Sequence, residues 1–384
     1  MEIMKNVTAL CGALVALAGA AQAGGIDRSG QPIGILFERG NYVELSYGNI
    51  NPDVSGTDLT AAANGSGSVA GSHQLPGLAL KYDINDRLSA ALIYDHAYGA
   101  DIDYPDFTGF TGTGSYMLGG TYAQVESQGL TALLRYRLND RFSVHGGLRA
   151  SQAGGDVGLS GAAYSTVSGY EAHLEKDWGT GFVIGGAYEI PDIALRVALT
   201  YFSKVGHTFD TQEVIPTAYQ PLFGATLDTT TDVDTPQALN LDFQTGIMEN
   251  TLLFGSARWV EWSDFKIAPK GFFGPNVGSL TDLEDTVTYT LGVGRKFNDN
   301  WSGSVFATWE PGTGALVSPL APTDGYKGIG VAAVYTRDNM KITTGIRYLW
   351  LGDATPETGT PDVARADFSG NNALAVGVKV GFTF

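Results

Sequence analysis

Lys81, Arg135, Arg137, Arg149, Arg196 and Arg347 share one arrangement: each lies in an alternating segment, on the face opposite its apolar residues. Cations held in that way bind carboxylates through charge-assisted hydrogen bonds. Lys81, Arg135, Arg149, Arg196 and Arg347 are therefore candidates for holding an anionic headgroup. The alternative is pairing with acids on the same face, such as Glu44, in which case they solvate an interior. Covalent or acid–base catalysis needs a nucleophile beside a base, or paired acids with a histidine. The five histidines, His73, His96, His145, His173 and His207, are scattered over the chain, and neither G-x-S-x-G nor H-E-x-x-H occurs. No catalytic residue, metal ligand or cofactor is assigned, and the chain reads as something other than an enzyme. The stretch "DTTTDVDTP" (Asp228 to Pro236) is rich in carboxylates, but its spacing is not that of an EF-hand. It reads as a solvated loop.

What must position these cations is a set of alternating segments. The last twelve residues read "ALAVGVKVGFTF". Val376, Val378, Val380, Phe382 and Phe384 fall on one face, with Gly377, Lys379, Gly381 and Thr383 on the other. Alternation of this kind is a strand with one apolar face. Tight turns rich in Asn and Asp recur between such segments: "INDR" (Ile84 to Arg87), "LNDR" (Leu138 to Arg141), "EIPDI" (Glu189 to Ile193), "MEN" (Met248 to Asn250), "FNDN" (Phe297 to Asn300) and "TRDN" (Thr336 to Asn339). Long polar connections fall near 51–73, 105–118, 151–178, 211–234, 268–283, 311–324 and 353–371. Six short and seven long connections join fourteen strands. This predicts an all-β fold: a transmembrane antiparallel β-barrel of 14 strands with both ends in the periplasm. Trp and Tyr near the strand ends, such as Tyr47, Trp178, Trp309 and Trp350, suit interfacial girdles.

The bulk numbers agree. Hydropathy averages near zero, and Gly numbers 52 of 384. The net charge of −17 argues against nucleic-acid binding. Residues 1–23 read as a signal peptide: Lys5, an apolar stretch from Val7 to Ala20, then Ala21-Gln22-Ala23. Cys11, the one cysteine, lies inside that segment, so the exported chain uses no disulfide. Residues 24–40 form a short polar, Gly-rich N-terminal plug segment ahead of the barrel at 41–384.

Five groups of residues stand out together: "YGNINPDVSG" (Tyr47 to Gly56), "YDINDRLSAALIYDHAYGADIDY" (Tyr82 to Tyr104), "AHLEKDWGTGFVIGGAYE" (Ala172 to Glu189) with "RVALTYFSKVGHTFD" (Arg196 to Asp210), "ARWVEWSDFK" (Ala257 to Lys266) and "DTVTYTLGVGRKFNDNW" (Asp285 to Trp301). In order and spacing they resemble one family, the FadL-type outer-membrane transporters of long-chain fatty acids and other hydrophobic compounds. The resemblance implies a fourteen-stranded barrel, an N-terminal plug, and a bend in the third strand that opens the wall sideways. The chain departs from the family in its short plug and in lacking the Asn-Pro-Ala motif. Alternation places Leu88, Ala90, Leu92 and Tyr94 outward, and then breaks at Asp95-His96. With Gly99 supplying backbone freedom, Asp95, His96 and Gly99 are the expected site of a bend and side opening. Phe107 and Phe110 in one loop and Phe223 in another are candidates for an apolar capture groove. The expected partners are a hydrophobic small molecule, outer-membrane lipid and lipopolysaccharide, and the barrel-assembly machinery through the strand ending at Phe384. A monomer in the bacterial outer membrane is expected. The rival reading is a general diffusion porin for small polar solutes.

Overall fold

The computed structural model describes residues 26–384 apart from 110–111, 273–277 and 360–361. The expected signal peptide and Phe110 lie outside the described residues. Fourteen antiparallel strands close into a barrel. They are β1 (Tyr42–Asp53), β2 (His73–Asp83), β3 (Leu88–Asp95 and Gly99–Asp103), β4 (Tyr122–Arg137), β5 (Phe142–Leu159), β6 (Tyr170–Ile190), β7 (Leu195–Phe202 and Gly206–Val214), β8 (Thr226–Asp234 and Ala238–Met248), β9 (Thr251–Val260), β10 (Thr286–Lys296), β11 (Trp301–Glu310), β12 (Tyr326–Arg337), β13 (Met340–Leu351) and β14 (Asn372–Thr383).

The ring closes between β1 and β14, in register from Tyr42↔Thr383 to Asp53↔Asn372. Phe384 adds one further bond, from its N–H to the Asn41 carbonyl at 3.0 Å. The turns show why one spelling recurs. Asn85 Oδ1 accepts from the N–H groups of Arg87 and Leu88 at 2.9 and 3.0 Å. Asn139 does the same for Arg141 and Phe142, and Asn298 for Asn300 and Trp301. A side-chain acceptor thus satisfies two amides that the end of the hairpin would otherwise leave bare.

The outward face is apolar: Leu45, Leu80, Leu134, Leu148, Ile184, Leu291, Val305 and Ile329 are all exposed. Aromatic side chains bound this band. Trp301 tilts against Tyr335 at the turn end, and Trp309 stacks on Tyr289 at the loop end, with centroids 5.0 and 5.7 Å apart. Eight residues separate the two tryptophans along β11, about 27 Å of strand, which suits a tilted strand crossing a hydrocarbon layer.

Two of the expected loops are largely strand. The stretch at 151–178 is mostly taken up by β5 running to Leu159 and β6 starting at Tyr170. The stretch at 211–234 holds the ends of β7 and β8, and "DTTTDVD" pairs with Gly206–Gln212, from Gly206↔Asp234 to Gln212↔Asp228. These extensions are polar on the outward side, because they rise past the aromatic band and meet water. Their inward side chains, such as Tyr170, Leu174, Phe209 and Val233, are buried in an apolar cluster, so the contrast is the reverse of that in the lipid-facing segments.

Candidate functional site

The site begins with residues 26–41, which run through the lumen and bond to strands all round it. Arg258 on β9 donates from Nε to Asp27 Oδ2 at 2.7 Å, from Nη1 to Asn240 Oδ1 and from Nη2 to Gln31 Oε1. Asn240 on β8 in turn donates to the Gly30 carbonyl at 3.0 Å. Toward the turn end, a short 3-10 turn at Gly34–Phe37 carries Phe37 between two guanidinium groups. Arg135 and Arg196 stand 4.4 and 4.3 Å from the centre of its ring. Cations over an aromatic face are attracted by its quadrupole, so the two guanidinium groups hold this ring at the turn end. Lys341 then pairs with Glu38 at 2.8 Å, and Lys81 holds the Gly40 carbonyl at 2.8 Å.

Above this stopper lies a lumen cavity, open to water-sized groups over about 180 Å³. Its lining includes Arg28, Arg196, Arg258, Arg347 and Lys379 with the acids Glu44, Asp95 and Asp242. Lys379 pairs with Glu44 at 3.2 Å.

The wall beside this cavity is incomplete. β2 and β3 are paired from Asp83↔Ser89 to Leu78↔Tyr94 and no further. Residues 73–77 of β2 keep their register with β1, from Ser46↔Gly77 to Ile50↔His73, but have no partner strand on the β3 side. β3 itself is interrupted after Asp95 and resumes at Gly99, with three residues opposite the two between Glu126 and Gly129 on β4. Its freed edge turns to the plug instead: Arg28 N donates to Ala97 O at 2.7 Å, and Gly99 N to Ile26 O at 2.9 Å. Further up, Gly71 N and Val69 O take the edge at Asp101 and Asp103. A window thus remains between His73–Gly77 and the bent part of β3. His96 Nδ1 lies 3.3 Å from the Pro76 carbonyl across it, and Tyr94 Oη lies 3.5 Å from His96 Nε2. The chain chemistry fits. Pro76 has no N–H to lose where no partner strand runs. At Gly99 a Cβ would sit 2.6 Å from the Arg28 guanidinium carbon, so a larger residue would displace the Arg28 side chain from the bend.

The five candidate cations do not form one cluster. Arg196 and Arg347 line the lumen cavity above Phe37. Lys81 bonds Asp83 at 2.5 Å near the turn end, and Arg135 grips Glu189, the Leu36 carbonyl and Phe37. Arg149 sits at the bend, 3.9 Å from Asp95 and 6.0 Å from the centre of the Tyr98 ring. Phe107 packs edge-on against Tyr116 in the loop after β3, and Phe223 ends a short helix (Gln220–Phe223) in the loop after β7; neither lines the lumen cavity. Arg28, Arg258, Lys379 and Pro76 were missed in the sequence. Arg258 and Lys379 stand on inward faces by the same alternation that marked the other cations. Pro76 inside a strand-like run is itself a signal of a free edge.

A model of outer-membrane transport proteins (OMPP1/FadL/TodX) matches residues 7–305. The chain belongs to this family. FadL/TodX members are outer-membrane channels for hydrophobic compounds. Among solved structures, a Pseudomonas aeruginosa FadL homologue superposes with a TM-score of 0.75 at 16% identity, covering 96% of this chain and 98% of the other. The Pseudomonas putida toluene transporter TodX gives 0.62 at 13% identity over 96% and 98%, and the Ralstonia pickettii toluene transporter TbuX gives 0.58 at 14% over 91% and 90%. These likenesses are of fold. No curated protein sequence matches the chain.

Proposed function

We propose that this channel takes up long-chain fatty acids and similar hydrophobic molecules at the loop end and releases them sideways into the membrane through the window between β2 and β3. The observation that carries this reading is the loss of pairing beyond Leu78↔Tyr94, beside a cavity whose axial exit is stopped by Phe37. Unpaired backbone facing hydrocarbon is costly, so a strand that abandons its neighbour at that level needs a reason. A passage supplies one. Asp95 and His96 then line its sill and Gly99 its lintel. Arg196 and Arg347, with Arg28 and Lys379, supply the positive potential that a carboxylate headgroup needs in the cavity. The loop aromatics Phe107 and Phe223 offer apolar contact on arrival. Both termini face the periplasm, the leader 1–23 is removed, and the barrel works as a monomer. A diffusion porin fits less well, because residues 26–41 cross the lumen.

The test is a cysteine pair, Pro76→Cys with His96→Cys, in a mature chain that holds no other thiol. Oxidation should stop uptake of a labelled fatty acid, and reduction should restore it, with heat-modifiability on gels unchanged throughout. Normal uptake by the oxidised protein would refute the lateral route.

A further inference from the structure

The lumen cavity does not end at the inner wall. Its lining includes Tyr47, Leu78, Val376 and Val378, exposed on the outer face of the barrel, and Tyr94 on the outward side of β3. From Tyr94 a row of hydrogen-bonded side chains runs along that outer face, away from the window. Tyr94 Oη donates to Gln128 Oε1 at 2.9 Å, and Gln128 Nε2 donates to Gln152 Oε1 at 2.7 Å. Gln128 and Gln152 lie opposite each other on β4 and β5, and Gln152 lies opposite Trp178, exposed on β6. Toward the turn end the wall is apolar, with Leu92, Leu130 and Leu148 exposed. Toward the loop end Glu126 pairs with Lys176 at 3.3 Å, both well exposed. The row therefore runs where the hydrocarbon-facing wall gives way to a charged rim.

Amides at the edge of a lipid-facing wall are costly unless they find partners, and within this row the pairing is incomplete. Gln128 uses one of its two amide hydrogens on Gln152, and Gln152 Nε2 has no acceptor among the described residues. Oε1 and Nε2 of Gln152 share one planar amide, so the two Nε2 atoms stand within about 5 Å of each other. One carboxylate, with two acceptor oxygens, can reach both. We propose that Gln128 and Gln152, joined to the window by Tyr94, receive the carboxyl head of a fatty acid as it leaves the channel, while its chain lies along the apolar wall at Leu130 and Leu148. The proposal rests on the lateral route above and adds where the head goes once it has left the lumen cations. A carboxylate that crossed the window with nothing to replace those partners would lose its hydrogen bonds at the edge of hydrocarbon. Neutral donors also hold the head less tightly than another Arg would, which suits a place of release.

Palmitate and hexadecane share a chain length and differ in the head, so their uptake by intact cells, corrected for cells lacking the protein, isolates the head's contribution. In Gln128→Leu/Gln152→Leu, with the heat-modifiable folded band present, palmitate uptake should fall about ten-fold, the scale of one hydrogen bond to a charged group. Hexadecane uptake should stay at the wild-type rate. Equal loss of both, or of neither, overturns the row. If the variant does not fold, the wild type decides. Palmitate carrying a diazirine beside its carboxyl carbon, flashed during uptake, should label the peptides that hold Gln128 and Gln152. Labelling confined to lumen-facing residues overturns the row. So does outer-wall labelling that persists in oxidised Pro76→Cys/His96→Cys, since the head then arrives from the membrane. The two readings fail separately. Normal palmitate uptake by the oxidised cysteine pair brings down the lateral route, whereas a pair that stops uptake, beside a Gln128→Leu/Gln152→Leu variant with unchanged uptake, brings down the row alone.

Discussion

Arg258 and Asp27 form an ion pair of 2.7 Å with side chains 5% and 1% exposed, joining the wall at β9 to the first residues of the plug. Asp27 also bridges backbone to backbone with Tyr98 at the bend in β3. One short segment therefore ties the far wall to the edge of the window.

Removing one member of a buried pair strands the other charge, at a cost of about 3–5 kcal/mol. Asp27→Ala should release residues 26–33 without opening the barrel. Their amides should exchange faster by orders of magnitude, and planar-bilayer conductance should rise above a low wild-type level. Asp27→Ala with Arg258→Leu should exchange more slowly than Asp27→Ala alone, because no charge is left stranded. Equal exchange in the single and double variants would remove the latch.

Phe384 is 64% exposed and contributes one backbone bond to the closed ring. If its role is recognition during insertion, its loss should harm assembly far more than stability. Deletion should reduce the heat-modifiable band in outer membranes several-fold. The urea midpoint of protein that has already folded should hardly move. A large drop in midpoint with normal membrane levels would reverse the assignment.

Glu357 lies in the connection between β13 and β14, where burial pushes its carboxyl from 4.5 up to about 7, with Asp362 and Asp282 adding and Arg365 opposing. Between those values the folded loop keeps a proton that the unfolded loop gives up. Local stability therefore falls as pH rises through that window. Protection factors for amides in 352–371, corrected for intrinsic exchange, should be higher at pH 5 than at pH 8. Glu357→Gln should flatten this difference, since the amide stays neutral throughout. A slope unchanged by the substitution would mean another group titrates.

The barrel was legible because two of its rules are local. Alternation reports a lipid-facing strand, and an Asn that can cap two amides reports a tight turn, as Asn85, Asn139 and Asn298 do. The upper parts of β6, β7 and β8 were not legible as strands, because their contrast is reversed: Tyr170, Leu174, Phe209 and Val233 are buried inside while Glu171, His173, Asp210 and Asp232 are exposed outside, unlike the lipid-facing segments. The window was half legible. His96 disturbs an apolar face visibly, while Pro76 matters only because of what runs beside it, twenty residues away. That Trp262 and His207 line one cavity could not be read from sequence at all. Their shared environment is made by strands and a loop that meet through closure of the barrel.

The seam between β2 and β3 has a mechanical meaning as well. It holds six paired positions, from Leu78↔Tyr94 to Asp83↔Ser89, where the closing seam between β1 and β14 holds twelve and that between β4 and β5 sixteen. Among the described strands it is the shortest seam, so a ring strained from outside tears there first. β2 and β3 stay joined by the turn at 84–87 when that happens. The two torn edges then remain tethered within four residues of each other, and the ring can zip shut again without its chain ends having to find one another.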